Sequence, residues 1–364
     1  MNIKKISIVS VCILSLIVML CGCQNSKDNN ESNTTNTTTA PPKIEYSIGV
    51  CLEGNNEYHT QILQGFMAGI TDYFPENNAA INTTIADDVN NTDMICSNYI
   101  QSNSSLLFTI GEKSLLSAHN QTTTIPIIGS GIMDYKRVLN IPDDSDSKEW
   151  DGSTNMNITG VSSAPNMADV LSMMIEVTPA LSSVGLLYSP EDPDSVYQNH
   201  ILEKYLDQAG IPWKEYSFYS SSMSTAAARE LAQVACLECS VLYIPAESSL
   251  RERQDTIKNV ALELNTPVVG GDEYIGDRTL ASMYNDPFDQ GYNAAKTAYD
   301  LLVKGKKPQT MPIINCSSDA EQKLYVKDIS EKMGYTFPKS FKERDEFLST
   351  YKLGSKTKRV EKDN

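Results

Sequence analysis

Between Tyr46 and Gly305, short apolar runs alternate with amphipathic runs of helical period, and this rhythm constrains the fold more than any other feature of the chain. YSIGVCL (46–52), SLLFTI (105–110), IPIIG (125–129), NITGVS (157–162), SVGLLYS (183–189), SVLYIP (240–245) and PVVGG (267–271) are mostly apolar or β-branched, as strands buried on both faces must be. INTTIA (81–86), WKEYSFY (213–219) and LASMYND (280–286) read as further strands. Between them the apolar positions recur at helical spacing in 57–74, 164–178, 194–210, 225–238, 249–265 and 286–305. Such alternation predicts an α/β fold of parallel sheets covered by helices on both faces.

The first set of strands closes with IPIIG, and the irregular polar segment MDYKRVLNIPDDSDSKEWDGSTNMN separates it from the second. The economical topology is two doubly wound parallel-sheet lobes joined by three crossover segments, near 130–162, 284–290 and 312–322. Lobe 1 is expected over 44–156 plus about 287–314, lobe 2 over 157–286 plus about 315–340, and a C-terminal tail over 341–364 with a surface helix. Loops at the carboxyl ends of parallel strands form the ligand crevice of such sheets. Two facing lobes turn that crevice into an interlobe cleft that can close by hinge bending.

The N-terminus has a separate logic. Lys4 and Lys5 precede an apolar segment, Ile6 to Leu20, and then Leu20-Cys21-Gly22-Cys23. The apolar segment is short for a stable span, and small residues lead into a cysteine, which predicts a lipoprotein signal peptide over 1–22. Cys23 is then the lipidated first residue, holding the protein at the cell membrane on its extracytoplasmic face. Residues 23–43, nearly free of apolar side chains, are expected to form a disordered tether. Loss of the two lysines takes the net charge from −16 to −18. That balance argues against nucleic acid or anionic lipid as a partner of the folded body.

Chemistry-bearing motifs are few. Three histidines (His59, His119, His200) stand far apart, and no GxSxG, Walker or GxGxxG pattern occurs. The acidic run from Asp143 to Gly152 resembles a calcium loop but lacks glycine at its sixth position and carries Lys148 among the would-be ligands. No metal and no cofactor are expected. Of eight cysteines, Cys12 and Cys21 leave with the signal and Cys23 is lipidated. Cys51, Cys96, Cys236, Cys239 and Cys316 read as buried free thiols, although Cys236 and Cys239 have the spacing of a redox pair at the end of a helix.

The polar residues that follow strands are the candidate site. On the first lobe these are Asn56, Glu57 and Tyr58; Gly111 and Glu112, at a helix start whose free N–H groups could hold a carboxylate; and Ser130 and Asp134. Asp192, Asp194, Ser195, Glu247 and Asp272 face them from the second. Acceptors for an ammonium and donors for a carboxylate would suit a small zwitterion, with Tyr58 as a stacking surface. In YSPEDPDSVYQ (188–198) the carboxylates are also what a helix start needs: Asp192 as a cap before Pro193, and Asp194 in the first turn.

Several segments together resemble the bacterial ABC-transporter substrate-binding lipoproteins that include tryptophan- and tyrosine-binding members. Asn157-Ile158-Thr159-Gly160-Val161-Ser162 resembles that family's N-x-T-G-V-S. Val184-Gly185-Leu186-Leu187-Tyr188 with Asp194-Ser195-Val196 resembles its G-x-L-Y…E-x-N-S-V. Pro267-Val268-Val269, Leu280-Ala281-Ser282, Asp289-x-Gly291-Tyr292, Leu324-Tyr325-Val326 and Met333-Gly334-Tyr335-Thr336-Phe337-Pro338 follow in order, so the likeness covers nearly all of 44–338. The resemblance implies a type I periplasmic-binding-protein fold without catalysis. It also implies a monomer that binds a small molecule in its cleft, with an amino acid, and among these an aromatic one, as the favoured class, and that serves an ABC permease and ATPase. A receptor-kinase sensor and a secreted hydrolase using paired carboxylates are the other readings. The chain departs from the family where ligand would sit: E-x-N-S is Asp192-Pro193-Asp194-Ser195, H-P-x-L-D falls on Asn56, Glu57, His59 and Thr60, and D-N falls on Glu247-Ser248.

Overall fold

A computed structural model describes residues 45–74, 78–142, 150–219, 223–247, 250, 252–273, 275–315 and 321–352. The signal segment, Cys23, the tether, most of the acidic run, Ser248, Cys316 and the last twelve residues lie outside the described residues.

The first lobe is built from β1 (Tyr46–Leu52), α1 (Glu57–Tyr73), β2 (Ala79–Ile85), α2 (Thr92–Gln101), β3 (Leu106–Ile110), α3 (Glu112–His119), β4 (Ile127–Ile132), α4 (Tyr135–Val138) and β5 (Ile158–Ser162). Its five strands run parallel in the order β2-β1-β3-β4-β5. β3, with every residue buried, lies in the middle, whereas β2 is an edge and exposes Asn82 to Ile85. Apolar side chains fill both faces: Ile48, Val50, Phe66 and Phe108 on one, Cys51, Cys96, Leu107 and Leu115 on the other.

The second lobe continues with α5 (Met167–Val177), β6 (Val184–Tyr188), α6 (Pro193–Ala209), β7 (Trp213–Ser217), α7 (Thr225–Glu238), β8 (Val241–Ile244), α8 (Gln254–Leu264), β9 (Val268–Gly270) and β10 (Ala281–Asn285). After α9 (Pro287–Leu302) come β11 (Glu321–Tyr325), α10 (Lys327–Met333), β12 (Lys342–Glu343) and α11 (Arg344–Lys352). The seven strands are ordered β12-β11-β10-β9-β8-β6-β7. All pairs are parallel except β10 with β11, which run antiparallel.

Three expectations need correction. A second lobe starting at 157 is not what the strands do: β5 pairs with β4 in the first sheet, so the chain crosses after Ser162. Its apolar run is equally suited to either sheet, and only pairing decides. The crossing expected near 312–322 is there, but its end is the start of β11, a strand hidden in the sequence by the polar Glu321, Gln322 and Lys323. The tail does not begin at 341 either, because Phe341 is buried in the second core and β12 extends the sheet from Leu324 and Tyr325.

The other two crossings lie between β10 and α9 and between Ile314 and β11. Ile314 pairs with Val161 of the first sheet, and α9 returns to the first lobe to lie along α1. That contact is close because both helices carry glycine there: a Cβ on Gly65 would fall 1.9 Å from the Phe288 carbonyl oxygen, and one on Gly291 would fall 1.8 Å from that of Ile62.

Candidate binding cleft

The carboxyl ends of both sheets carry helix starts, and those of α1, α3, α4, α6 and α9 are capped by side chains. After β1, Asn56 caps α1, its Oδ1 accepting from the His59 amide at 2.8 Å. Gly111, with φ 102°, begins α3 and offers no side chain to cap it. Glu53 from the neighbouring loop does so instead, accepting from the Lys113 amide at 2.7 Å. A Cβ on Gly111 would stand 2.1 Å from the Glu53 carboxyl carbon, so glycine serves both the backbone and the incoming side chain. Asp134 caps α4 through the Arg137 amide at 3.0 Å, and the Arg137 guanidinium pairs with Glu112. Ser130 is buried in β4, and its carbonyl accepts from the Gly111 amide at 2.9 Å.

On the second lobe, Asp192 Oδ1 accepts from the amides of Asp194 at 3.0 Å and Ser195 at 3.4 Å, with Pro193 at the first helical position of α6. Ser195 turns inward. Its hydroxyl lies 2.8 Å from both the Ala246 carbonyl and Glu247 Oε2, and donates its single proton between them. Glu247, also buried, takes the Ser189 amide at 2.8 Å. Buried Gln198 ties three loops together: Oε1 accepts from the Tyr243 hydroxyl and the Ala246 amide, both at 2.9 Å, while Nε2 donates to the Gly271 carbonyl at 3.2 Å. Asp272 accepts from the Ile275 amide at 2.7 Å.

Between these ends lies a cleft of about 210 Å3, open to solvent. Of the residues expected at a site, Tyr58, Asp192, Asp194, Glu247 and Asp272 line it. Asn56, Glu57, Gly111, Glu112, Ser130, Asp134 and Ser195 are not among its walls, because capping, pairing or burial engages most of them and Glu57 points to solvent. Glu273 also lines it, as do Met133, Ser163, Tyr284 and Asn285, which the sequence did not single out. Tyr284 and Asn285 end a strand rather than follow one, and a polar residue closing a strand was the signal available.

Asn285 is 2 % exposed. Its Nδ2 donates to the carbonyls of Ala164 at 2.7 Å and Ser162 at 3.3 Å, which settles the orientation of the amide. Among the described residues Oδ1 faces no donor, and Asp194 Oδ1 is likewise buried without a partner. A buried acceptor left so costs about 1–3 kcal/mol. Desolvation raises the Asp194 carboxyl to about 7, helped by Glu112, Asp192 and Asp134 and opposed by Arg137. The Tyr58 hydroxyl sits 3.2 Å from the side-chain amide of Gln290 in the first turn of α9. Among the described residues no cluster of His, Cys, Asp and Glu fits a metal, and Cys51, Cys96, Cys236 and Cys239 are free buried thiols.

A model of the ABC transporter substrate-binding protein family matches residues 47–341. A tyrosine-binding protein of Clostridioides difficile is 25% identical over 312 residues, 83% of this chain and 86% of that protein. The ligand-free, open structure of a substrate-binding protein with adhesive properties from Clostridium difficile is similar at a TM-score of 0.70 and 19% identity, covering 81% of this chain and 96% of the other. An ABC domain in complex with L-Trp from Streptococcus pneumonia is similar at a TM-score of 0.59 and 20% identity, covering 81% and 97%.

Proposed function

The chain belongs to the ABC transporter substrate-binding protein family, and from that premise we propose that it is a lipid-anchored, extracytoplasmic solute-binding protein of an importer. It captures a small amine-bearing molecule by hinge closure and delivers it to a permease and its ATPase. The observation that carries this reading is the cleft itself, which opens where the strands of both sheets end and is bounded by two of the three crossings. A solute that touches both walls gains contacts only in the closed form, and this difference in affinity shifts the population towards closure. The cleft does this without catalysis, and Cys23 supplies the membrane anchor.

The tyrosine- and tryptophan-binding relatives make aromatic amines and amino acids the first compounds to test, with Tyr58 and Tyr284 as flanking rings. A thermal-shift screen of amines, amino acids, nucleosides and small peptides reads binding directly, since a ligand held only by the folded state raises the melting temperature. One class should shift the midpoint by several degrees at saturation, and a flat response across all classes would end the reading. Replacing Cys23→Ser should move the protein from the membrane fraction to the soluble one.

A further inference from the structure

Several backbone donors in and around the cleft are already occupied by carboxylates. Glu53 takes the amide at the start of α3, Asp134 that of α4, Asp192 those of α6, Glu247 that of Ser189 and Asp272 that of Ile275. Asp286 does the same at α9, accepting from the amides of Phe288 and Asp289 at 2.8 and 3.2 Å. The places where a ligand carboxylate would ordinarily be held by a helix start are therefore filled by carboxylates of the protein. The walls also hold two buried acceptors for which no donor stands among the described residues. Asn285 Oδ1 is one, fixed in orientation by two carbonyls; Asp194 Oδ1 is the second, on the other side of a helix start from its cap. Five acidic side chains line the cleft and, among the described residues, no lysine, arginine or histidine does. Arg137, whose charge reaches Asp194, is committed to Glu112.

We infer that the ligand is an organic cation, with ammonium or amidinium N–H groups for Asp194 and Asn285, and that it bears no carboxylate. This rests on the reading of the cleft as a solute site. A zwitterionic amino acid would satisfy the two acceptors with its amino group but bring its carboxylate against Asp192, Glu247, Asp272 and Glu273, with no lysine, arginine or histidine among the described lining residues to receive it. The tyrosyl rings fit the same class, because the face of an aromatic ring attracts a cation.

Calorimetric titration of the full chain with pairs that differ only in the carboxylate tests this: tyramine against tyrosine, tryptamine against tryptophan, agmatine against arginine. In at least one pair the decarboxylated amine should bind tenfold or more tightly than its amino acid, and more weakly as salt is added. Asp194→Asn, checked for an unchanged far-ultraviolet spectrum, should lose that preference. If the amino acid binds as tightly as its amine or more tightly, the inference fails while the solute-binding reading stands. No binding by any member of any pair overturns the inference, and if the broader screen is also flat, both fail.

Discussion

Asp192, Asp194 and Ser195 occupy four consecutive positions with Pro193 and do three different things. Asp192 caps α6, Ser195 is drawn inward to Glu247, and Asp194 presents an unpartnered oxygen to the cleft. Asp192→Ala should cost about 0.5–2 kcal/mol of stability, measured by urea unfolding, as loss of an N-cap does. Asp194→Asn should act in the opposite sense on the empty protein. The folded state holds the Asp194 proton up to about 7 against an ordinary 3.8, so the wild type loses stability as pH rises from near 4 through 7. The variant, with nothing to ionise, should gain in melting temperature relative to wild type across that window and keep a constant lead above it. Binding of a cation should run the other way with pH: it needs the carboxylate, so affinity should rise by up to about tenfold per unit below 7 and level off above. Burial is the main cause of that shift, with Glu112, Asp192 and Asp134 adding to it and Arg137 opposing it, which makes Arg137→Gln a second handle that should move the plateau to higher pH. The cap at Asp192 was legible in the sequence because capping is local. The inward turn of Ser195 was not, because its partner Glu247 lies fifty-two positions away on another loop.

At the scale of elements, strand and helix periods located the strands from β1 to β10 and the longer helices but missed α2 and the short α4, and other errors came where composition is silent about pairing. β5 has the same apolar run whichever sheet receives it, and β11 is polar enough to pass for a loop. The start of α3 shows the same limit. Its glycine and free amides read as an anion site, whereas Glu53, in a loop fifty-eight residues earlier than Gly111, fills it. Glu53→Ala should therefore lower stability by about 0.5–2 kcal/mol, although Glu53 is not in the helix it caps. The contact of α1 with α9 depends on two glycines with no room for a side chain, since the intruding atoms are backbone. Gly65→Ala should force the helices apart and cost about 1–3 kcal/mol, read as a lower midpoint of unfolding.

For the whole molecule, the two sheets are joined by segments that meet near Asn285, whose amide ties the end of β10 to the chain just past β5. Two crossings are thus bound at one residue that also lines the cleft, and Tyr58 reaches Gln290 just beyond it. A ligand touching Tyr58, Asp194 and Asn285 would contact the first lobe, the second lobe and the hinge together. On the proposed function such a contact closes the cleft. Small-angle scattering of the full chain, empty and with tyramine at a concentration that saturates the calorimetric signal, reads that closure. Ligand should give a smaller radius of gyration and a shorter maximum dimension. An unchanged scattering curve at saturation would contradict it.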